Sequence, residues 1–394
     1  MRYCYNIIDE GYFKALKNPV RREKIMLEIL DWDEHVTGVI INDISSEDKG
    51  TITQNNSAGC QRACNISVIG SSDMFGINKK FRLWQGIVID DVCYLFSQGI
   101  YLAKDMQYAD YKYNITACDK YGVLNGELKT GAFDTAFSVN AGRDVYIGPL
   151  VRALISRDMG NGHILDSKPA LVDMYYEKSI LVSDIIVGAG GHISETLENL
   201  ASWYGANIYY DSNGQLQMSR IFDYGFPAKI LQKSSKYTFT KDEISDYTES
   251  TSYDGCNTVR VSTDNSDGEV CTVVVKNRNA RSPYCVQKAG IRLYDGDGVT
   301  DGTYYIPLRS GNKADNIQAC KDMGAYILQQ EMWQKITKSF NAPVVPHLSV
   351  GDVITVDNSD CIIQSLTIPL QAGELMTVEA ISISQIPYDE EGLA

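Results

Sequence analysis

The chain has 394 residues, of which 44% are hydrophobic and 22% charged, and its formal net charge is −14. This composition is typical of a folded globular protein, and the length is enough for two to three domains. The acidic balance argues against a basic surface that neutralises phosphates, so we expect no sequence-specific nucleic-acid binding and no membrane binding.

The N-terminal residues do not form a secretion signal, because Asp9, Glu10 and Lys14 interrupt any apolar segment. The longest apolar stretch, 180–190, contains Asp184 and is too short to span a membrane. Ten cysteines are spread along the chain without a Cys-x-x-Cys pair. We therefore expect mostly free, buried thiols and assembly in a reducing cytoplasm.

Strand patterns fill the first third of the chain. In 23–30, Ile25, Leu27 and Ile29 share one face, which is the alternation of a strand. Further strands, separated by clusters of Gly, Asn, Ser and Asp, are predicted at 36–44, 62–69, 81–89, 92–101 and 112–117. Short strands at this spacing are typical of a closed barrel or a sandwich. We predict a first β-barrel domain at 1–135.

The middle of the chain predicts two helices and a hairpin. One helix is expected at 147–159 with Pro149 in its first turn, and a second begins at a Ser194 cap and ends at Gly205. Strands 207–210 and 215–219 follow, and the Asp-Ser-Asn-Gly turn between them favours a hairpin. We predict an α+β domain at 136–225.

The last part returns to strands. Strands 258–262 and 269–276 are expected to pair, a long helix is predicted at 313–334 with Asn312 as its cap, and closing strands are predicted at 353–356, 361–368 and 375–383. We predict a second β-barrel domain at 226–394 that contains the helix 313–334. The fold class is therefore mainly β (α+β), with two β-barrel domains and an intervening α+β domain.

The glycine-rich segment 188–191 lies between an apolar run and a helix, as a phosphate-binding loop would. The dinucleotide fingerprint fails, because its third glycine would fall on Ile193, and no Gly-Lys-Ser/Thr follows. We predict a structural turn here and no nucleotide site.

The aspartate-rich segment 295–298, followed by Asp301, resembles a calcium loop. An EF-hand is excluded, because Thr300 occupies the position of the required glycine and Ile306 that of the glutamate. Two alternatives stay open: a solvated turn, which we favour, and an irregular ion site.

Motifs for hydrolysis are absent. The sequence contains no His-Glu-x-x-His, no Gly-x-Ser-x-Gly and no Ser-x-x-Lys with its companion motifs. His35, His163, His192 and His347 have no recognisable partner and lie far from any cysteine cluster, although paired carboxylates for sugar cleavage stay open. We predict no catalytic, cofactor-binding or metal-binding residues, and no cofactor.

Three stretches together resemble the baseplate hub, or tail hub, proteins of tailed bacteriophages. The first is the run Leu-Phe-Ser-Gln-Gly-Ile-Tyr-Leu at 95–102, followed by Asp119-Lys120 and Leu124-Asn125-Gly126. It is similar to a "QG…DK.a.L.G" pattern of hub-like proteins from phages of Gram-positive hosts. The second is the helix and hairpin at 194–219, and the third comprises 348–354, 368–370 and 376–380.

The resemblance implies a role in the tail. Family hubs are trimers in which each subunit contributes two similar barrels, so that a ring matches a sixfold tail tube on one side and a threefold tip on the other. The expected partners are two further copies of the chain, the tail tube protein, the distal tail protein, the tape measure protein and the tip or spike proteins. DNA would pass through the ring in the virion, and no catalytic residue is implied.

Two alternatives to a structural hub come from other classes. One is a tail-associated peptidoglycan hydrolase, and the other is a receptor-binding or carbohydrate-binding tail protein. The absence of a catalytic motif argues against the first, and the absence of repetitive strands or a lectin-like tip argues against the second. The sequence ends at Ala394 after the last predicted strand, so we expect no peptidoglycan-cleaving extension.

Overall fold

The computed structural model describes residues 2–18, 20–41, 50–56, 60–69, 75–76, 79–128, 131–158, 163–219, 222–223, 229–230, 234–264, 271–280, 282, 284–296, 299–307, 313–333 and 336–382. Strands far outnumber helices among these residues, which confirms the mainly β (α+β) fold class. None of the helices that the structure describes is long and apolar enough to cross a bilayer.

The first region is built from long antiparallel strands. Its elements are β1 Arg2–Tyr5, α1 Glu10–Leu16, β2 Arg22–Leu30, β3 Val36–Ile41, β4 Thr51–Asn55, β5 Arg62–Ile69, β6 Lys80–Ile89, β7 Val92–Ala109, β8 Lys112–Asp119 and α2 Tyr121–Leu124. Leu27 and Ile29 are buried in one core, and the partly buried Ile25 packs against the same core, as the alternation predicted. The strand predicted at 92–101 continues to Ala109.

The middle region packs short strands around helices. Its elements are β9 Phe137–Val139, β10 Gly142–Tyr146, α3 Ile147–Ile155, β11 Leu171–Val172, α4 Met174–Glu177, β12 Ile180–Leu181, β13 Ile185–Val187, α5 Ile193–Tyr204, β14 Asn207–Tyr210, β15 Leu216–Ser219 and β16 Phe222–Asp223. β14 and β15 form the predicted hairpin, with Gly214 at a φ of +71° in its turn. Gly205, at a φ of +60°, ends α5 as predicted.

The last region returns to strands around one long helix. Its elements are β17 Lys229–Ile230, β18 Tyr237–Phe239, β19 Ser245–Thr251, β20 Thr258–Asp264, β21 Thr272–Lys276, α6 Val286–Ala289, β22 Val299–Thr300, β23 Thr303–Pro307, α7 Lys313–Trp333, β24 Ile336–Pro343, β25 Val353–Val356, β26 Ser359–Pro369 and β27 Leu375–Ser382. β20 and β21 pair as predicted. The predicted cap Asn312 lies outside the described residues.

Strands from the first and last regions join in one 14-stranded sheet. Its path is β19-β24-β27-β26-β4-β5-β8-β7-β6-β2-β3, with β1 paired to β7, β25 to β26, and β18 to β25. The connection is the antiparallel pair β4–β26, in which Ile52 lies opposite Ile368. We call this pair the barrel seam.

The described residues form several apolar cores, including a small one around Met26, Trp84 and Leu95. The largest takes side chains from both sides of the barrel seam, including Ile52, Ile66, Leu366 and Ile368. A second lies within the middle region around Leu154, Leu197 and Leu200, and a third lies between α7 and β20–β21. The domain boundaries 1–135, 136–225 and 226–394 stay a prediction.

Some local predictions were wrong. The N-cap of α5 is His192 and not Ser194, and Glu195 accepts a hydrogen bond from the backbone N–H of His192 at 2.8 Å. The helix predicted at 147–159 ends at Ile155, where a hydrogen bond from Ser156 N–H to the Arg152 carbonyl closes its last turn. Several further elements were not predicted, among them β1, α1, β4 and β24.

Candidate functional site

The Asp119-Lys120 pair of the first motif lies where β8 meets the middle region. Lys120 is 2% exposed, and its ammonium donates hydrogen bonds to a carboxylate oxygen of Asp166 at 2.6 Å and to the Gly214 carbonyl at 2.8 Å. It also donates to Glu34 in the loop after β2. One lysine thus links the first region to the β14–β15 hairpin.

Glu34 is the carboxylate that the surrounding lysines share. Its side chain is 4% exposed, and it forms ion pairs with Lys80 at 3.3 Å, with Lys168 at 2.7 Å and with Lys120. Burial opposes its ionisation, but the ammonium groups of Lys120 and Lys80 prevail and lower the pKa of Glu34 to about 2. We call Glu34, Lys80, Lys120, Asp166 and Lys168 the charged junction.

Aromatic groups and a phenol enclose the charged junction. The Lys80 ammonium lies 4.7 Å from the Trp32 ring centroid, and the Lys120 ammonium lies 5.0 Å from that of Tyr210. The Tyr210 hydroxyl donates to Asp166 at 2.9 Å. Burial and the nearby Lys120 charge lower the pKa of Lys80 to about 8. Each ionised group therefore depends on its partners for solvation.

Asp119 organises the backbone beside this junction. It is 1% exposed and accepts hydrogen bonds from the backbone N–H groups of Gln61, Arg62 and Tyr121, at 3.1, 2.9 and 2.9 Å. Burial raises the pKa of Asp119 to about 6, although Arg62 and the N–H donors oppose the rise. The buried Arg62 guanidinium donates to the Tyr210 carbonyl, again joining the first region to the middle one.

The remaining residues of this motif have packing roles. Leu124 is fully buried in the middle core, and Gly126 adopts a φ of +75°. A Cβ atom on residue 126 would lie 2.1 Å from the imidazole of His192. The glycine therefore allows both the left-handed turn and the close approach of the α5 cap.

Two glutamines of the first region hold the last region. Gln98, 1% exposed, donates to the Pro346 carbonyl at 2.7 Å, and Gln85 donates to the Pro369 carbonyl at 3.1 Å. The Tyr101 hydroxyl donates to the Gln98 carbonyl at 2.9 Å, at the register shift where Gln98 has no partner in β6. Gln98 of the Gln-Gly motif thus contributes to the contact between the first and last regions.

The third motif forms the other side of that contact. Asp352 accepts a hydrogen bond from the Ser349 backbone N–H at 2.9 Å and pairs with Lys236 at 2.7 Å. The Val350 backbone N–H donates to the side-chain oxygen of Gln54 in β4 at 3.3 Å. The closing strand β27 buries Met376 and Val378 in the shared core.

The 188–191 segment is a structural turn. Gly190 N–H donates to the Phe133 carbonyl at 2.8 Å, and Gly191 N–H donates to the Gly188 carbonyl at 3.0 Å. A phosphate would require such amides to point at the ligand, so their pairing with backbone carbonyls argues against an anion site.

Of the aspartate-rich segment, Asp295 and Asp301 are exposed, while Asp297 lies outside the described residues. Asp301, at a φ of +50°, and Gly302 form the tight turn between β22 and β23. This turn accounts for the aspartate at 301 without an ion.

The histidines occupy four separate places. His35 pairs with Asp31 at 3.3 Å, His163 lies 3.8 Å from Asp33, and His192 caps α5. His347 contacts the Tyr12 hydroxyl through Nδ1 at 2.8 Å, and burial lowers its pKa. The structure brings no two of these histidines together.

One cleft of the first region is open and polar. Its volume is about 520 Å³, and amide and hydroxyl groups of Asn65, Ser67, Gln107, Asn114 and Thr116 line it. Asp105 is the one titratable group among the lining residues. A cleft with a single carboxyl does not provide the acid–base pair that glycoside hydrolysis requires.

Sequence reasoning missed two groups of residues. The first comprises the partners of Lys120 in the charged junction, which no local pattern connects. The second comprises Cys60, Cys118 and Glu127, whose ligand atoms lie within 4.8 Å of one another. All ten cysteines are free thiols, nine of them buried. Among the residues of the charged junction and its surroundings, the sequence pointed only to Asp119 and Lys120, because they belong to the motif that resembles tail hub proteins.

Comparison with known proteins gives a consistent result for the fold. The chain is similar to a 43 kDa tail protein of prophage MuSo2 from Shewanella oneidensis, at a TM-score of 0.55 and 11% identity, over 92% of this chain and 99% of the other. It is similar to a tail protein from Neisseria meningitidis MC58, at a TM-score of 0.53 and 10% identity, over 92% and 97%.

A third similar structure is the prophage tail protein gp18 from Listeria monocytogenes EGD-e, at a TM-score of 0.51 and 12% identity, over 92% of this chain and 95% of that one. Neither protein-family models nor curated protein sequences give a match. The chain therefore has the fold of phage and prophage tail proteins, and the resemblance predicted from sequence is confirmed at the level of the fold.

Proposed function

We propose that this chain is a structural hub of a phage-type tail, assembled as a trimeric ring that joins the tail tube to the tail tip. The observation that carries the proposal is the 14-stranded sheet that joins the first and last regions, in a chain with the fold of tail proteins. One subunit would thereby present two rigidly linked barrels, which is what a threefold ring needs in order to match a sixfold tube.

The two ends of the sheet favour contacts between subunits. Within the part of the chain that the structure describes, β3 is paired only to β2, and β19 only to β24. Every residue of β19 is exposed, and Val36 and Val39 of β3 are each 50% exposed. Unpaired strand edges are templates for pairing with another chain. We propose that β19 of one subunit lies against β3 of the next, which closes a ring after three subunits.

The ring determines the remaining partners. The tail tube protein would contact one face, the tip or spike proteins the other, and the distal tail and tape measure proteins the ring's surroundings, with DNA passing through the centre. The net charge of −14 favours such a passage, because an acidic wall does not retain phosphates. Assembly would take place in the host cytoplasm, and the finished protein would lie in the virion tail.

The proposal includes the absence of enzymatic activity. The absence of a hydrolase motif from the sequence and the backbone-paired glycines of 188–191 support a scaffold over a peptidoglycan hydrolase. We expect the purified protein to release no soluble products from peptidoglycan beyond a heat-treated sample. Measurable release would favour the hydrolase instead.

The assembly is tested by mass measurement and electron microscopy of the full chain, alone and with tail tube protein. We expect trimers with an interface on the order of 2,000 Å² or more, and rings at the ends of tubes. Val39→Lys on the β3 edge is expected to give monomers. Val20→Lys, at a 76% exposed position outside the sheet, is the matched control and should leave trimers intact. A stable wild-type monomer that does not cap tubes would contradict the proposal.

A further inference from the structure

Two thiols and a carboxylate from separate elements converge near the end of β8. Cys60 lies two residues before β5, Cys118 lies in β8, and Glu127 follows α2. The β5–β8 pairing places Ala63 opposite Cys118, which brings the Cys60 segment to the same end of the sheet. The three ligand atoms lie within 4.8 Å of one another. The cluster is therefore created by the fold, and no sequence spacing reveals it.

The site has a path to solvent. A Cβ atom on Gly122 would lie 2.4 Å from Cys118 Sγ, so the glycine allows α2 to pack closely against this thiol. Cys118 is 2% exposed, whereas the Glu127 side chain is 32% exposed. A buried inner ligand and a partly exposed outer ligand provide the entry path that a metal site requires.

We propose that Cys60, Cys118 and Glu127 bind one divalent cation of the zinc type, with water as the fourth ligand. Two thiolates favour a borderline-soft ion over Mg²⁺ or Ca²⁺, which prefer oxygen ligands. A tetrahedral site has bonds of about 2.3 Å to sulfur and 2.0–2.2 Å to oxygen, so its ligand atoms lie closer to one another than 4.8 Å, the upper limit of their present separations. Small side-chain rotations would bring the three atoms to that spacing.

Charge balance supports the assignment. Binding releases the two thiol protons to solvent, so that M²⁺ and two thiols give a neutral bis-thiolate and two H⁺. The Glu127 carboxylate then adds one negative charge, and the Lys104 ammonium already forms an ion pair with Glu127 Oε1. One carboxylate oxygen can retain this pair while the other binds the ion. The loaded site, including Lys104, is therefore electrically neutral.

The metal would also join three separate segments of the first region. These are the segment before β5, the end of β8 and the segment after α2, and Cys60 in addition packs against the core of the middle region. An ion bound only by the folded chain stabilises that arrangement by a free energy that rises with the logarithm of the ion concentration above its Kd. We infer that the site stabilises the end of the first region that packs against the middle core, beside the charged junction.

Titration of the full, phosphine-reduced chain with Co²⁺ tests the proposal. We expect one Co²⁺ per chain, a sulfur-to-cobalt charge-transfer band in the near ultraviolet, and displacement of the band by Zn²⁺. The ten cysteines are counted as free thiols in denaturant before the titration, so that oxidation does not mask the site. A folded, fully reduced chain without the band overturns the proposal.

Substitutions locate the site. Cys60→Ser and Cys118→Ser should each weaken Co²⁺ binding about 100-fold or more, since loss of even an outer partner of a metal ligand costs about 10- to 100-fold. Glu127→Gln should weaken it while leaving the sulfur band of bound cobalt. Cys361→Ser, a buried thiol elsewhere in the sheet, is the matched control and should bind normally. Circular dichroism verifies the fold of each variant. A band that survives both Cys60→Ser and Cys118→Ser rejects the assignment.

Discussion

The first region is attached to its two neighbours by opposite kinds of chemistry. At the barrel seam, β4 pairs with β26 through backbone hydrogen bonds, and one apolar core lies across both strands. At the charged junction, five ionisable side chains meet in a buried cluster around Glu34 and Lys120. The seam depends on backbone geometry that many sequences share, whereas the junction depends on particular side chains.

This difference predicts how each contact tolerates substitution. Backbone pairs survive changes of exposed side chains, because the hydrogen-bonding groups are the same in every residue except proline. A buried ion network does not survive the loss of one member, because the remaining charges lose their compensation. The junction is thus the more specific of the two contacts.

The largest expected effect is at the charged junction. Replacing Lys120 with Met leaves Glu34 and Asp166 short of a buried partner, and we expect a loss of about 3–5 kcal/mol in the free energy of unfolding. Urea unfolding followed by circular dichroism measures it. Lys241→Met is the control, since this lysine is 81% exposed and pairs only at the surface with Asp357. Equal losses in the two variants would contradict a special role for the junction.

At the barrel seam, a large loss in the free energy of unfolding is expected only from a substitution that alters the backbone hydrogen bonds. Thr53 in β4 lies opposite both Ala63 and Thr367, so Thr53→Pro removes a donor from a strand paired on both sides. We expect a loss of about 3 kcal/mol or more. Thr53→Val keeps the backbone and should remain within about 0.5 kcal/mol of wild type. If the valine variant were destabilised as much as the proline variant, the seam would depend on side chains after all.

Acid should weaken the junction through Glu34. The pKa of Glu34 is about 2 in the folded protein and 4.5 in the unfolded chain. Its carboxylate therefore contributes its full stabilisation of the fold above about pH 4.5. That contribution is lost as the pH falls toward about 2. We expect the stability difference between wild type and Glu34→Gln to shrink from about pH 5 to about pH 3. A difference that stays constant over this range would show that Glu34 is not held ionised by its lysines.

The smallest effect is expected in the shared core at the seam. Ile52 is fully buried there, and Ile52→Val removes one methylene without disturbing the backbone. We expect a loss of about 0.5–1.5 kcal/mol. Thermal unfolding of this variant beside Thr53→Pro compares side chain and backbone on the same strand. If Ile52→Val were destabilised as much as Thr53→Pro, the seam would be stabilised mainly by side-chain packing and not by backbone hydrogen bonds.

The sequence predicted the long regular elements because their patterns are local. Strand 23–30, the hairpin around Gly214 and the long helix 313–334, observed as Lys313–Trp333, each have apolar periodicity or turn residues within a short window. The strand β4 was not predicted, because its sequence, Thr-Ile-Thr-Gln-Asn, contains only one aliphatic residue and so shows no apolar alternation. It is a strand through its partners β5 and β26, which lie elsewhere in the chain.

The charged junction could not be predicted for a related reason. Its members come from the loop after β2, from β6, from the end of β8 and from the segment before β11. Only the fold brings these separate segments together. The sequence identified Asp119-Lys120 as a motif, but not the carboxylates that accept its hydrogen bonds. The same holds for Cys60, Cys118 and Glu127, whose spacing resembles no metal motif.

The barrel seam also constrains the order in which the chain acquires its structure during synthesis. β5 is available to β4 soon after both emerge from the ribosome, but β26 follows only near the end of the chain, because Thr51 pairs with Pro369. Until then β4 has one unpaired edge that could capture a wrong strand. Contacts between such distant segments form slowly. The chain can therefore close this sheet only after Pro369 has been synthesised, so chains that stop before β26 lack the seam.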